Sequence, residues 1–378
     1  VIDLVHVDLN LTNACNLACT HCHSASGKPL PDEYTTEELV ALVKELHSHG
    51  VLSLAIAGGE PFMHPGLLEV LAEATRLPGW RVSVITNGVF FTDRVLESLS
   101  RCPGLGVNVS VDGSTPDRFA ELRSQPGSTP AAKAGLFNRV TGGIRRAVDA
   151  GLAVSVNTTM TRATMHDLVP TYHLVVDELG ARAQVAIKFF PAGYGKEHLD
   201  RYEFPWPEWA RQFTDLTVRK MSGELPKMQL SLPSAWEFYL PLIGAGIDPG
   251  EAEVAWNNRS VMAEAKYSRS RDIGDVAGVN ELCVSSDGSV YPSILMLGEP
   301  SMFCGSLRKA SLEEVWSNSE SLRSLRQLTL ADLQAPCSSC RMAKVCGGGS
   351  RSRALAQSLD VRAADLSCPL VRRNKAAA

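Results

Sequence analysis

Cys15, Cys19 and Cys22 stand on one short segment, N-A-C-N-L-A-C-T-H-C, at spacings of four and three residues. Thiolates so placed are metal ligands by type, soft and anionic. Structural zinc and simple iron–sulfur centres ordinarily take four protein ligands, so three leave one position open. An open position marks a centre that binds something exchangeable. Near the other end of the chain, Cys337, Cys340 and Cys346 are followed by Cys368. Four thiolates close a centre, and on ligand type alone that centre is iron–sulfur or zinc.

The rest of the composition sets the context for these thiols. The 378-residue chain carries a formal charge of -4 and no long basic run, which disfavours nucleic acid and membrane surfaces as partners. Its start, V-I-D-L-V-H-V-D-L-N, lacks the basic-then-apolar order of a signal peptide, and no apolar run is long enough to span a bilayer. A cytoplasmic location is the expectation. Six of the ten cysteines cluster at ligand spacings, C-x3-C-x2-C and C-x2-C-x5-C, unlike a disulfide framework in a small secreted domain. The final R-R-N-K-A-A-A reads as a tail without a role.

These residues must be held by regular elements, and the first two hundred residues supply them. L-V-H-V-D-L-N-L reads as a strand running into the cysteines. The next helix has a capping box at Thr35 and Glu38, a stripe of Leu39, Leu42, Val43 and Leu46, and Gly50 as its stop. The strand–helix alternation repeats to give six units, whose strands are near-continuous apolar runs of the kind buried in parallel sheets. Right-handed crossovers predict an α/β fold, a partial (β/α)6 TIM-like barrel. Ligands in such folds sit at the carboxyl ends of the strands. The short polar or glycine-rich segments fall there: Cys15–Cys22, Gly58–Pro61, Thr86–Gly88, Ser110–Gly113, Asn157–Thr159 and Pro191–Gly195.

The cysteine triad, followed by G-G-E-P after the next strand, resembles the radical S-adenosylmethionine (SAM) superfamily. The resemblance implies a [4Fe–4S] cluster on Cys15, Cys19 and Cys22, with its fourth iron left for SAM. It implies reductive cleavage of SAM to a 5'-deoxyadenosyl radical that abstracts a substrate hydrogen. Gly58, Gly59 and Glu60 match the element that holds the SAM amino group, with Pro61 fixing the turn. Ser110 and Asn157 match strand-end contacts to the ribose or methionine portion. Arg123 aligns with an arginine that pairs with the SAM carboxylate, the alternative being a surface arginine. His21 takes the position, usually aromatic, whose ring packs near adenine. His23 has no assigned role, and His64 reads as a turn cap.

C-S-S-C-R-M-A-K-V-C with Cys368, preceded by G-S-L-R-K-A-S-L-E-E-V-W, resembles a SPASM/twitch-like domain, a small C-terminal iron–sulfur domain that in many radical SAM enzymes holds two auxiliary clusters. Asp275, Ser293 and Ser350 stand where three ligands of the inner auxiliary cluster belong. The four ligands of the outer one remain as Cys337, Cys340, Cys346 and Cys368. The implied cofactors are SAM and two [4Fe–4S] clusters, with a low-potential donor such as flavodoxin or ferredoxin as partner. Zinc on the terminal four thiols is the alternative.

The expected divisions are residues 1–195 for the barrel, 196–274 for a connecting and possible substrate-contact region, and 275–378 for the auxiliary-cluster domain. The connecting region holds Trp206, Trp209, Trp236, Tyr239 and Trp256, read mainly as packing, and a stretch rich in Arg and Lys near its end that could meet an acidic peptide or phosphate. Cys102, Cys283 and Cys304 read as buried structural cysteines. The functional alternative is that Cys283 or Cys304 donates hydrogen to a product radical, as in radical SAM epimerases. The first functional expectation is crosslinking or epimerisation of a ribosomal peptide in natural-product biosynthesis. The second is epimerisation, dehydrogenation or dehydration of a small sugar or aminoglycoside-type metabolite. The chain opens on its first core strand, so a separate peptide-recognition protein would serve the first case.

Overall fold

Alternation along each strand decides what the sheet presents on its two faces. Val7 and Leu9, Leu54 and Ile56, Val82 and Val84, Val107 and Val109, and Val154 and Val156 are fully or nearly fully buried in one apolar core. The residues between them are smaller or polar and belong to the opposite, inner face. In the computed structural model, which describes residues 3–123, 127–257 and 273–372, these strands form one ten-stranded sheet. The Arg- and Lys-bearing stretch 258–272 and the terminal tail 373–378 lie outside the described residues.

The six expected strands are β1 (His6–Asn10), β2 (Ser53–Ala57), β3 (Arg81–Thr86), β4 (Gly106–Ser110), β5 (Ala153–Met160) and β6 (Ala183–Lys188). They pair in sequence order, all parallel. Helices α1 (Thr36–Ser48), α2 (Leu67–Arg76), α3 (Asp93–Ser100), α4 (Pro116–Ala120), α5 (Pro130–Asp149) and α6 (Leu168–Tyr172) fill the crossovers. The capping box on Thr35 and Glu38 forms, and Leu39, Leu42, Val43 and Leu46 are the buried stripe of α1. The mixed α/β core is thus a partial barrel with a smaller C-terminal region.

The sheet runs further than those six strands. After α7 (Leu199–Tyr202) and α8 (Trp206–Met221), β7 (Met228–Ser231) adds a seventh parallel strand beside β6. At the other edge β8 (Glu281–Val284) lies parallel to β1, and β9 (Ser289–Tyr291) and β10 (Gly305–Ser306) continue antiparallel. The tryptophans between β6 and β8 are packing residues. Trp209, Phe213 and Trp256 stack with ring centroids 5.1 and 6.2 Å apart, while Tyr239 and Trp236 are buried.

The C-terminal region holds the sheet at two places. One contact is β8 on β1. The other is a buried charge network: Arg353, in the helix Arg351–Ser358, pairs with Glu237 of α9 (Trp236–Ala245) at 2.9 Å and with Asp365 at 2.6 Å. Glu237 also receives Lys188 from the end of β6, and Trp236 donates its indole N–H to Asp365 at 3.0 Å. Each charge here has an opposite partner, which is what makes such burial tolerable. Arg353→Met would leave two carboxylates buried without their shared cation and should cost about 3–5 kcal/mol. Thermal melting of the variant checks this, and an unchanged midpoint would show the network to be incidental.

Candidate active site

Two glycines fix the position of the cysteine loop. Gly58 has φ +140°, and a Cβ on it would lie 2.4 Å from the Thr12 carbonyl oxygen. A Cβ on Gly59 would lie 2.3 Å from the Ala14 carbonyl oxygen. Their absent side chains let the turn after β2 lie against the backbone that leads into Cys15, where Gly59 N–H donates to Thr12 (2.7 Å) and Glu60 N–H to Ala14 (2.8 Å). From the far side Gly193, at φ +51°, approaches the Cys22 and His23 carbonyls just as closely, and Tyr194 N–H donates to Cys22 O at 2.9 Å.

Buried carboxylates complete the frame. Glu33 accepts from Thr12 Oγ1 and Asn13 N–H at 2.7 Å, and from Leu30 N–H and Ser286 Oγ at 2.9 Å. These bonds hold its carboxyl below the usual range even against partial burial. Glu60, wholly buried, accepts from Thr86 Oγ1 (2.7 Å), Asn87 N–H (2.8 Å) and Phe62 N–H (3.2 Å). Burial outweighs those bonds and pushes it up to about 6. Asn87 Nδ2 in turn donates to Asn16 Oδ1 of the cysteine loop at 2.8 Å. The Glu60 carboxylate is thus occupied in tying the ends of β2 and β3 together.

Around the thiols the electrostatics are specific. Arg123 is buried: its Nε donates to Asp112 Oδ2 at 2.5 Å and its Nη1 lies 3.8 Å from Cys19 Sγ. His21 Nε2 sits 3.3 Å from the same Asp112 oxygen, and Asp112 Oδ1 accepts from Thr159 N–H at 2.6 Å. Burial lowers His21 to about 4, despite Asp112, so its ring is neutral at pH 7. Burial also pushes the Cys19 thiol up to about 12, against the pull of Arg123. A positive centre at these thiols would displace their protons, the linkage by which metal and thiolate charge stabilise each other. Cys15, Cys19 and Cys22 lie within electrostatic reach of one another.

Ser110 closes β4 and pairs in register with Asn157, both on the inner face. Asn157–Thr159 lies inside β5, which continues to Met160, so that segment is strand rather than rim loop. His64 is buried, with Nε2 3.0 Å from Tyr34 O and Nδ1 accepting from Gly66 N–H. Cys102 packs at the end of α3. Cys283 and Cys304 part company. Cys283 is on β8 opposite Asp8, its Sγ 3.9 Å from Asn10 Nδ2, on the inner wall. Cys304 packs in the main apolar core and its thiol donates to Met302 O at 3.3 Å.

The terminal cysteines gather separately. Cys337, Cys340, Cys346 and Cys368 line one cavity of about 380 Å³, beside Trp236 and Asp365. That is roughly ten times the ~30 Å³ share of a water molecule, room for a multi-atom centre. Burial raises Cys368 to about 11 and Cys346 further. No three His, Cys, Asp or Glu side chains among the described residues converge as on a single metal ion. Three thiols on one loop and four around one cavity are donors of the type that fits iron–sulfur groups.

Asp275, Ser293 and Ser350 are also drawn into one neighbourhood. Asp275 accepts from Arg351 N–H at 2.6 Å, next to Ser350, and Ser293 hydrogen-bonds Glu281, which also feels Asp275. Asp112, Glu33 and the Glu281 group were not singled out by the sequence. Asp112 lies two residues after Ser110 in the rim segment, a usable signal, whereas Glu33 lies in a run of ordinary turn residues that gives none.

Three thiols, a glycine cradle and a largely buried arginine thus meet at the carboxyl rim of a curved parallel sheet, where barrel-type α/β enzymes place their active sites. Residues 9–175 match the radical SAM superfamily model and residues 276–341 match an iron–sulfur cluster-binding domain, SPASM. The chain belongs to the radical SAM superfamily and carries a C-terminal SPASM-like domain. It is 29% identical over 351 residues to an AdoMet-dependent heme synthase of Methanosarcina barkeri, covering 93% of this chain and 92% of that one. It is 27% identical to the mycofactocin maturase MftC of Mycolicibacterium smegmatis, covering 95% and 81%. The structure of Streptococcus suis SuiB bound to the precursor peptide SuiA superposes with a TM-score of 0.72 at 17% identity, over 97% of this chain and 76% of that one. That likeness is one of fold. Among the described residues no helix is long and apolar enough to cross a membrane.

The glycine cradle is directly testable. Gly59→Ala should displace the cysteine loop and sharply lower iron retained after anaerobic reconstitution. Gly135→Ala, where a Cβ in α5 meets nothing within 4 Å, should leave iron content unchanged and add a few tenths to about 1 kcal/mol of helix stability. Equal iron in both variants would contradict the close-approach reading.

Proposed function

We propose that the chain abstracts hydrogen from a substrate held in the barrel interior, and that this substrate is a ribosomal peptide undergoing crosslinking or epimerisation in natural-product biosynthesis. When bound to Cys15, Cys19 and Cys22, an iron–sulfur cluster with SAM supplies the organic radical for that abstraction. The observation that carries the reading is the three-thiol loop, framed on both sides by backbone contacts at the carboxyl rim of the sheet.

The chain's own residues divide the remaining work. Gly58 and Gly59 hold the loop, and Glu60 ties the ends of β2 and β3 together at the turn where an amino group of SAM would sit. Arg123 offers a cation beside Cys19, kept in place by Asp112. His21 gives a neutral ring next to that pair, and Ser110 and Asn157 give neighbouring polar groups at the rim. Of the two cysteines considered as hydrogen donors, Cys283 has the inner-wall position such a role needs. Cys337, Cys340, Cys346 and Cys368 would close a second cluster that serves electron transfer or scaffolding, with a flavodoxin- or ferredoxin-type protein as donor. The segments 1–195, 196–274 and 275–378 are kept as functional divisions within one continuous sheet.

A peptide is supported by the mycofactocin maturase among full-length relatives, and a separate recognition protein would then present it. A second reading, a small sugar or aminoglycoside-type metabolite, is favoured by the wall itself. Ser53, Ser83, Asn108, Ser155 and Thr159 are hydrogen-bonding side chains suited to a polyhydroxylated molecule. The named product of the heme synthase relatives likewise shows that long matches extend beyond peptide maturation.

Anaerobically purified protein should hold about eight iron atoms, the content of two four-iron clusters, and form 5'-deoxyadenosine from SAM with a low-potential reductant. The triple variant Cys15→Ala, Cys19→Ala, Cys22→Ala should lose that product and about half the iron. Four iron atoms plus one zinc would remove the second cluster, and SAM cleavage surviving in the triple variant would remove the site.

A further inference from the structure

The inner wall is not chemically uniform. Along β2 to β5 its side chains are small or neutral apart from Arg81 at the start of β3, but where β1 meets β8 it gathers charge. His6, Asp8 and Asn10 share one face of β1, and the register sets Glu281 beside His6 and Cys283 beside Asp8. His6 Nε2 lies 3.4 Å from Asp8 Oδ1, and the Asp8 side chain keeps 13% of its surface exposed. Ser293 bonds Glu281 from the C-terminal side, with Asp275 close by. From above, His23 descends from the cysteine loop to within electrostatic reach of Asp8.

Two polar atoms in this corner lack partners. Asn10 is only 5% exposed, its Nδ2 rests against Cys283 Sγ, and its Oδ1 has no hydrogen-bond partner. His23 Nε2 is buried and equally unpartnered. A buried amide oxygen without a donor costs about 1–3 kcal/mol, so its persistence needs a reason. Asp8 and Asn10 are two apart on one strand, about 6.6 Å along its axis, and so offer two acceptors to one group lying between them.

We propose that the β1–β8 corner of the barrel is the specificity site for a cationic, donor-rich substrate group, an ammonium or guanidinium, held by Asp8, the Asn10 carbonyl oxygen and Glu281. This rests on the proposed function only in placing substrate inside the barrel. The corner occupies the neighbourhood into which Asp275, Ser293 and Ser350 bring the three positions expected to have lost an inner auxiliary cluster. Carboxylates and a free amide acceptor stand there instead of thiols.

Charge supports the choice of a cation. Burial, with Asp8 and Asp275 nearby, pushes Glu281 up to about 7, and a bound cation would favour its ionised form. His6, drawn up by Asp8 against burial and the nearby Arg81, is the opposing positive group. As pH rises through about 7 Glu281 gains negative charge, and His6 loses its positive charge above its ordinary value, so both changes strengthen binding of a group that itself stays cationic.

The test is a titration of the anaerobic, SAM-loaded holoenzyme with four probes. Nα-acetyl-lysine methylamide and Nα-acetyl-arginine methylamide represent a peptide source, cis-1,3-diaminocyclohexane an aminocyclitol source, and Nα-acetyl-norleucine methylamide the neutral control. At least one cationic probe should bind more tightly than norleucine and tighten between pH 6 and 8. Asp8→Asn and Glu281→Gln, checked for iron content and melting, should each weaken it by about ten- to a hundredfold. Which cation binds best separates peptide from aminocyclitol. Equal binding of norleucine, no saturable binding of any cation, or full affinity in both variants would overturn the proposal. Formation of 5'-deoxyadenosine by the same preparation keeps the outcomes apart: cleavage without cation binding sinks only the specificity site, whereas absent cleavage sinks the radical reading.

Discussion

Backbone lies directly on backbone where the turn after β2 meets the segment entering Cys15. Gly58 and Gly59 allow that approach, and two N–H groups bond across it. A loop carrying three thiols has little apolar surface of its own and would otherwise pay the full entropy of ordering on its own short-range contacts. Held instead by β2 below, Glu33 behind and the Gly193 turn beside it, the loop has its thiols set at the carboxyl rim before any cofactor arrives. Preorganisation of this kind matters most for a centre that must leave one position free, because an open centre cannot rely on a full ligand set to fix its geometry.

The C-terminal region solves a different problem. An open parallel sheet has two edges with unpaired backbone groups. Here the β1 edge is extended by β8 to β10, and the end of β6 is tied to the C-terminal region through Lys188, Glu237 and Arg353. The same region brings four cysteines around their own cavity. Extension of the sheet past β1 and the second thiol set thus belong to one structural unit.

Much of this was legible in residue patterns. Six strands, their helices, the α1 capping box and the cysteine groups all carry strong local signals, either periodic or spaced. What escaped notice depends on tertiary placement. β7 is the four-residue Met-Gln-Leu-Ser, too short for periodicity to register, and it becomes a strand only because β6 offers an edge. Asp112 and Glu33 look like turn residues until the loop they hold is in place. Nor does the sequence show that the Glu60 carboxylate accepts from Thr86, Asn87 and Phe62, contacts made only when β2 and β3 lie side by side. The acceptor corner of Asp8, Asn10 and Glu281 joins β1 to β8, strands far apart in the chain, so no local window could show it.

The division of labour between the two thiol sets is open to a single spectroscopic comparison. Electron paramagnetic resonance of the dithionite-reduced holoenzyme should show two overlapping cluster signals. On addition of SAM, one of them, the one lost in the Cys15, Cys19, Cys22 variant, should shift, and the other should stay unchanged. A shift of the signal that depends on Cys337, Cys340, Cys346 and Cys368, or no shift of either, would contradict the assignment of an open reactive centre and a closed supporting one.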